Sequence, residues 1–340
     1  MSSGKPLLVV LGATGNQGGS VVVHFLSQSP PPYAIRAVTR NPSSDKARLL
    51  ASQGVEVVAG DFDDPRSLEA AFVGATVIFS VTDFMQPMTS VSMREKAAAS
   101  GAAPGFYIRD YEAQQNRNII DAAAKVSTLE RFIYSGLPNA NKLSGGKYQH
   151  VYFYDGKGAA EEYGRTTYPM LWEKTSVLYA GFFLENLTGG HGGVFCPRLD
   201  KARDCLIGSG REPLTTSIFP WYSVVQDTGT LVAALIRAAP GKKLVGANEW
   251  LSLQDLSNLV AQSLGKRIEF VDSVPNLDLG DAELQRAREE MMGFCIEFGL
   301  DGGKVDKSVV KPDDLGVPVQ LEPVKEWIDK QDWEKILLTA

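Results

Sequence analysis

Five apolar residues, Leu7-Leu8-Val9-Val10-Leu11, run without a break into Gly12-Ala13-Thr14-Gly15-Asn16-Gln17-Gly18. A run this short, apolar on both faces and closed by glycine, reads as a central strand of a parallel α/β sheet. The three glycines have separate tasks. Gly12 turns the chain tightly off the strand, Gly15 lets backbone N–H groups approach a pyrophosphate, and Gly18 lets the next helix lie close against the strand. That helix is expected over Ser20 to Ser27. Its N-terminus, with Thr14, Asn16 and Gln17 beside it, is the end that attracts phosphate oxygens. Glycine-rich turns also end strands for structural reasons alone, so the residues beyond the first helix have to decide.

Ala34 to Arg40 is a second strand at the spacing a βαβ unit requires, and no acidic residue stands at its end. In an NAD site such an acid bonds the ribose 2′-hydroxyl, whereas Arg40 suits a 2′-phosphate, so the expected cofactor is NADP(H). Lys46 is placed to assist from the loop, and Arg36, mid-strand, is as well explained by structure as by binding. The third strand, Val55 to Gly60, delivers Asp61 and Phe62 to the adenine side; Asp63 or Asp64 is the natural cap of a helix from Pro65 to Phe72. Ala75 to Val81 is the fourth strand, bringing Val81 and Thr82 near the cofactor. Met85 to Gly105 shows no clean period and reads as a long excursion able to cover a site, ahead of a helix from Tyr111 to Lys125. Leu129 to Gly136, carrying Ser135, and Ser176 to Gly181 complete six strands.

Strands alternating with helices give an α/β, doubly wound parallel sheet. The expected division is 1–185 for the dinucleotide-binding domain and 186–340 for a smaller, irregular α+β substrate-side domain, some of whose segments return to the main sheet. Glycines 189, 190, 192 and 193 break the rhythm, after which helices are expected over Asp227 to Ala238 and Leu253 to Leu264. Val324 to Leu338 reads as an amphipathic helix docking on its own core through Trp327 or Trp333.

A net charge of −6 repels phosphate backbones and argues against direct nucleic-acid binding. Three scattered cysteines form neither a disulfide framework nor a zinc site, and three histidines without ligand spacing argue against a metal. No run approaches the roughly 18 apolar residues of a membrane span. The expectation is a cytoplasmic protein without a membrane partner, nuclear in the case of a regulator, with its oligomeric state left open.

Taken in order, Gly12-Ala-Thr-Gly-Asn-Gln-Gly18, Thr39-Arg40-Asn41-Pro42, Gly60-Asp61-Phe62-Asp63-Asp64, Tyr134-Ser135-Gly136-Leu137, Asp155-Gly156-Lys157-Gly158 and Asp227-Thr228-Gly229 resemble the NmrA-like family of atypical short-chain dehydrogenases. The match is densest up to about residue 190; Met85 to Gly105 with His150-Val151-Tyr152 looks most like a fungal-type member. The resemblance implies an NADP(H)-binding Rossmann domain, a small second domain and a cleft between them. Some members are redox sensors and transcriptional co-regulators acting through a protein partner, while others are reductases of specialised metabolism.

Reduction of a carbonyl needs a proton donor beside the oxygen that becomes an alcohol. Short-chain dehydrogenases at large use a Tyr with a Lys four residues later. Lys157 occupies the family's lysine position, but four residues before it stands Phe153, which cannot donate. Were the segment helical, Tyr154 would share a face with Lys157 and Tyr152 would point away; were Asp155 the cap, that argument would lapse. The catalytic candidates are therefore Lys157, acting alone or with Tyr154, and Ser135 at the strand end. His150 is a weaker cleft candidate, His24 reads as a core histidine, and His191 has no assignable place. Tyr179, Phe182, Phe183, Trp221 and Tyr222 are candidates for an apolar substrate pocket. Two readings of the chain stand: an NADP(H)-dependent oxidoreductase acting on a small organic carbonyl, enone or imine, or a non-catalytic NADP(H) sensor.

Overall fold

In a computed structural model, which describes residues 4–188, 195–272 and 281–339, the apolar runs form one eight-stranded sheet in which every neighbouring pair is parallel. Its strands are β1 (Leu7–Leu11), β2 (Ala34–Thr39), β3 (Glu56–Ala59), β4 (Val77–Ser80), β5 (Arg131–Gly136), β6 (Thr175–Ala180), β7 (Lys243–Gly246) and β8 (Val309–Val310). They lie in the order β8-β7-β6-β5-β4-β1-β2-β3. The chain steps outward from β1 through β2 and β3, then returns to β4 on its other side. This reversal opens a crevice at the carboxyl ends of β1 and β4, where such sheets bind ligands.

Strands apolar on both faces need cover on both. One face is covered by helix α1 (Asn16–Leu26) and a helix from much later in the chain, Val224–Arg237, which bury Val21, Val22 and Phe25 against Leu231 and Leu235. The other is covered by the 21-residue helix Pro104–Ala124 and the helix Tyr152–Thr167. These two pack closely because Gly156 has no side chain. A Cβ there would stand 2.9 Å from the Arg109 carbonyl oxygen.

The last two strands and the helix Val224–Arg237 show that the second half of the chain does return to the main sheet. The rest of it builds two three-stranded sheets, Glu249–Leu251 / Phe219–Tyr222 / Phe182–Phe183 and Ile268–Val271 / Cys205–Ser209 / Arg198–Asp200, around a separate apolar core. Trp327 and Trp333 are both buried in that core, so the C-terminal segment does dock on its own chain. It does so as two short helices, Val324–Asp329 and Trp333–Thr339, rather than one.

The stretch from Met85 to Gly105 departs from the sequence expectation. It is two short helices, Met85–Thr89 and Val91–Ala99, and the next helix already begins at Pro104, its proline at the first helical position. Only Met88, Met93 and Ala97 of the two short helices are buried, too narrow a stripe to register as a period, while the alanines supply the propensity. Among the described residues no helix is long and apolar enough to cross a membrane. His191 and the glycine cluster around it lie outside the described residues.

Candidate functional site

The crevice is a cleft of about 760 Å³, lined among others by Gly12, Thr14 to Gly18, Arg40, Asp61, Phe62, Val81, Thr82, Ser135, Tyr154 and Lys157; Lys46 and the expected pocket aromatics Tyr179, Trp221 and Tyr222 are not in its lining. At one end the glycine turn is fixed by its backbone. Gly12 sits in the left-handed region at φ +61°, and the Gly15 N–H donates to its carbonyl at 2.9 Å. A Cβ on Gly18 would stand 2.3 Å from that same carbonyl oxygen, so nothing larger fits. Gly15 is the N-cap of α1 and no side chain caps the helix, which leaves the first-turn N–H groups of cleft-lining residues uncovered by side chains.

Arg40 is exposed at the end of β2, where its Nη2 donates to Gln86 Oε1 at 3.1 Å; Lys46 Nζ donates to the Thr14 carbonyl at 3.2 Å. Two cations thus stand around the glycine turn. The residues fit a dinucleotide, and the β2 end offers a guanidinium where an acidic residue would bond a bare ribose. Arg36 is structural: its guanidinium is spent on Glu56 at 2.9 Å and on the carbonyls of Ala71 and Val73. Asp64, not Asp63, caps the helix Pro65–Phe72. Asp63 instead accepts from Tyr111 Oη at 2.5 Å and Gln115 Nε2 at 3.0 Å, and burial together with Asp63 holds the Tyr111 phenol well above its usual range.

The floor of the cleft is a buried polar network. Lys157 Nζ is ion-paired with Glu112 Oε1 and donates to Thr82 Oγ1 at 3.1 Å. The Thr82 hydroxyl donates to the same Glu112 oxygen at 2.8 Å and accepts from Asn116 Nδ2 at 2.9 Å. Glu112 is fully buried, and its Oε2 has no hydrogen-bond partner among the described residues. Glu112 and Asn116, which hold Lys157 and Thr82, are candidate-site residues the sequence reading missed. Their signal was present: on the helix Pro104–Ala124 they continue, at i+4 and i+8, a buried stripe begun by Ile108 and carried on by Ile119 and Ile120. A carboxylate on the apolar face of a helix needs a buried partner. At the end of β5, Ser135 Oγ donates to Gln17 Oε1 at 2.8 Å, tying that strand end to the glycine turn.

Lys157 lies on a helix that begins at Tyr152, so Asp155 is a first-turn residue and not the cap. Burial raises its carboxyl to about 6, and its Oδ1 accepts from the Asn141 N–H at 3.0 Å. Tyr154 does share the cleft with Lys157. Its hydroxyl, however, meets Cys295 Sγ at 3.6 Å inside the second core, and burial lifts the phenol well above its usual range. Tyr152 points away and packs with Phe84 and Phe106. His150 does not line the cleft; its Nδ1 meets Glu290 Oε1 at 2.5 Å. His24 lies on α1 against Thr230 Oγ1 at 3.3 Å, and burial lowers its pKa.

The far end is apolar. Phe153, Phe182, Phe183, Phe195, Met291 and Leu300 line it, together with Asn186 and Arg288. Of the aromatics expected there, Phe182 and Phe183 reach it. Trp221 and Tyr222 are consumed by the two cores, and Tyr179 donates from its hydroxyl to Glu161 Oε2 at 2.7 Å.

Among known proteins, the chain is 26% identical over 359 residues to the NmrA-like family domain-containing oxidoreductase malD of Malbranchea aurantiaca, with 99% of each chain covered. It is 28% identical to the similarly named lnaB of Aspergillus flavus, over 89% of this chain and 86% of that one. The fold is shared with NmrA, a negative transcriptional regulator solved in complex with NADP (TM-score 0.71, 17% identity, 99% and 98% coverage). It is also shared with the Citrobacter sp. triphenylmethane reductase complexed with NADP(H) (TM-score 0.62, 18% identity, 96% and 99% coverage). Residues 4–312 match the NmrA-like family, and the chain belongs to that family.

Proposed function

We propose that the protein is an NADP(H)-dependent oxidoreductase of the cytoplasm that moves hydride between NADPH and a carbonyl, enone or imine of a small organic molecule. The observation carrying this reading is that one cleft joins the glycine turn and Arg40 to a set of aromatic and apolar side chains, with Lys157 in the same lining. In this reading the turn from Gly12 to Gly18 holds the pyrophosphate, Arg40 with Lys46 holds the 2′-phosphate, Asp61 and Phe62 border the adenosine, and Val81, Thr82 and Lys157 line the path to the reacting end. The nicotinamide, when bound, supplies or accepts the hydride.

The chain's own part is the proton. As the substrate carbon gains hydride, its oxygen or nitrogen gains a proton, and Lys157 Nζ–H is the donor we assign. Glu112 and Thr82 hold the ammonium at a fixed place, and Glu112 balances its charge. Ser135 and Gln17, bonded to each other, border the same floor. Tyr154 contributes its ring to the wall, because its hydroxyl is turned to Cys295.

The regulator reading is not favoured. A sensor has no need of an apolar chamber beyond Lys157, and the curated relatives are named oxidoreductases. The test is a single-turnover assay: excess protein with NADPH against ketones, enones, quinones and imines, dinucleotide binding being confirmed in the same sample. Stoichiometric oxidation with one class supports the enzyme; tight binding without oxidation across the panel rejects it.

A further inference from the structure

We infer that the substrate is an aromatic or extended apolar molecule carrying a carboxylate, and that Arg288 holds that carboxylate; the inference rests on reading the apolar end of the cleft as the substrate site. Arg288 lies on the helix Ala282–Phe298, one turn before Met291, and both line the chamber. Around them the wall is Phe153, Tyr154, Phe182, Phe195 and Leu300. Among the described residues, Arg288 is the one cation of that apolar wall, Arg40 and Lys157 lying elsewhere in the cleft lining.

Arg198 and Arg286, like Arg288, make no salt bridge among the described residues, but neither lines the cleft, and three further arginines of this half of the chain are paired. Arg203 is paired with Asp200 and Glu269, Arg211 with Asp272, and Arg267 with Glu269. Arg288 has no salt bridge, and its buried Nη1 no hydrogen-bond partner, among the described residues, while the side chain as a whole is half-buried and lines the chamber. The carboxylate nearest in sequence, Glu289, is exposed and takes a hydrogen bond from Gln285 Nε2 at 2.6 Å. Burial pulls the Arg288 guanidinium below its usual range, with Glu289 opposing only in part. A half-buried cation left without a counter-charge is costly to the fold, and a costly arrangement in a binding chamber is one the ligand completes.

The chemistry of the missing partner is set by the guanidinium. Its planar fork of N–H donors matches a carboxylate with two parallel hydrogen bonds, whereas a neutral ester or ketone oxygen fills one donor and leaves the charge unbalanced. The rest of the wall calls for an apolar body. Asn186 is the one amide in that lining, so charge discrimination falls to Arg288.

The test titrates the NADPH-saturated protein with 2-naphthoate, trans-cinnamate and indole-3-carboxylate, each beside its methyl ester. At least one acid is expected to bind about tenfold or more tightly than its ester, a difference of the size a charge-assisted pair supplies. Arg288→Met abolishes that preference while Arg288→Lys keeps part of it, with thermal midpoints confirming that both variants fold. The inference is overturned if no acid outbinds its ester, or if Arg288→Met keeps the preference. Failure of the wild-type protein to bind NADPH strikes the cofactor assignment instead. The acid-versus-ester comparison, run on the dinucleotide-free protein, then still decides on Arg288.

Discussion

The two ends of the cleft are built in opposite ways. The cofactor end is made by backbone: a left-handed Gly12, a Gly18 that cannot carry a Cβ, and a helix start left uncapped by side chains, all within seven consecutive residues from Gly12 to Gly18. The substrate end is made by side chains that converge from Phe84, Phe153, Phe182, Phe195, Arg288 and Leu300. A site carried by local backbone geometry leaves a fixed spacing in the sequence, because each glycine answers to a neighbour a few residues away. A site carried by convergence leaves none, because its parts meet only after the sheet, its two covering layers and the small domain have assembled.

Breaking the contact between the two ends should have the largest effect. Lys157→Met is expected to lower single-turnover rates by about 10²–10⁴, the range for a general acid. It should also cost about 3–5 kcal/mol in denaturant unfolding, since Glu112 is left buried and unpaired. The double variant Lys157→Met/Glu112→Gln separates the two roles, regaining most of the stability and none of the turnover. A single variant at full rate would remove Lys157 from the chemistry.

At the backbone end, specificity is predicted to rest on one side chain. Arg40→Asp should weaken NADPH binding about 30- to 100-fold, the loss of a charged hydrogen bond worth roughly 1.5–3 kcal/mol plus a new repulsion, and leave NADH within about threefold. Equal losses for both dinucleotides, measured by fluorescence titration, would contradict the assignment.

At the substrate end, Tyr154→Phe sharpens the division of labour. With its hydroxyl turned to a thiol 3.6 Å away, the variant should keep its rate within about threefold and lose no more than about 1 kcal/mol of stability. A fall comparable to that of Lys157→Met would return the phenol to the proton path.

A separate prediction concerns pH and leaves turnover aside. Asp155, on the Lys157 helix, has its carboxyl raised by burial to about 6, above its unfolded value, and its Oδ2 has no partner among the described residues. Its contribution to stability is therefore complete below about pH 4 and lost as pH rises through about 6. Two pH units correspond to at most about 3 kcal/mol, so Asp155→Asn should flatten the unfolding free energy between pH 4 and 7 by up to that amount. Asp227, raised to about 6 in the same way, will leave a residual slope. An unchanged profile in the variant would show that Asp155 ionises freely.

The sequence carried the main sheet well. Six strands and the helix Pro65–Phe72 were legible because the strands are short, mostly apolar runs at βαβ spacing and the helix starts at a capping Asp64 followed by proline. Strands β7 and β8 were not, since both lie where the alternation of strand and helix has broken, and they gain their identity from pairing with β6 and with each other. Within the site, the glycine turn was read from spacing, and Lys157 from the resemblance of Asp155-Gly156-Lys157-Gly158 to the family. The conditional argument for Tyr154 met its helical condition, yet periodicity could not say where the hydroxyl turns. Glu112 went unread although its position on an apolar stripe was visible, and Arg288 had no local signal at all. Its meaning comes only from the aromatic wall around it.

The most direct measurement of the central claim, that one cleft joins a dinucleotide at its backbone end to a reducible substrate at its side-chain end, is label transfer. NADPH carrying deuterium at the nicotinamide C4, on either face in separate samples, is incubated with excess protein and the carbonyl, enone or imine panel, and the products are read by mass spectrometry. The account predicts one deuterium per NADPH consumed in one product, from one face only, and none with Lys157→Met. Tightly bound NADPH that delivers no label to any acceptor would contradict it.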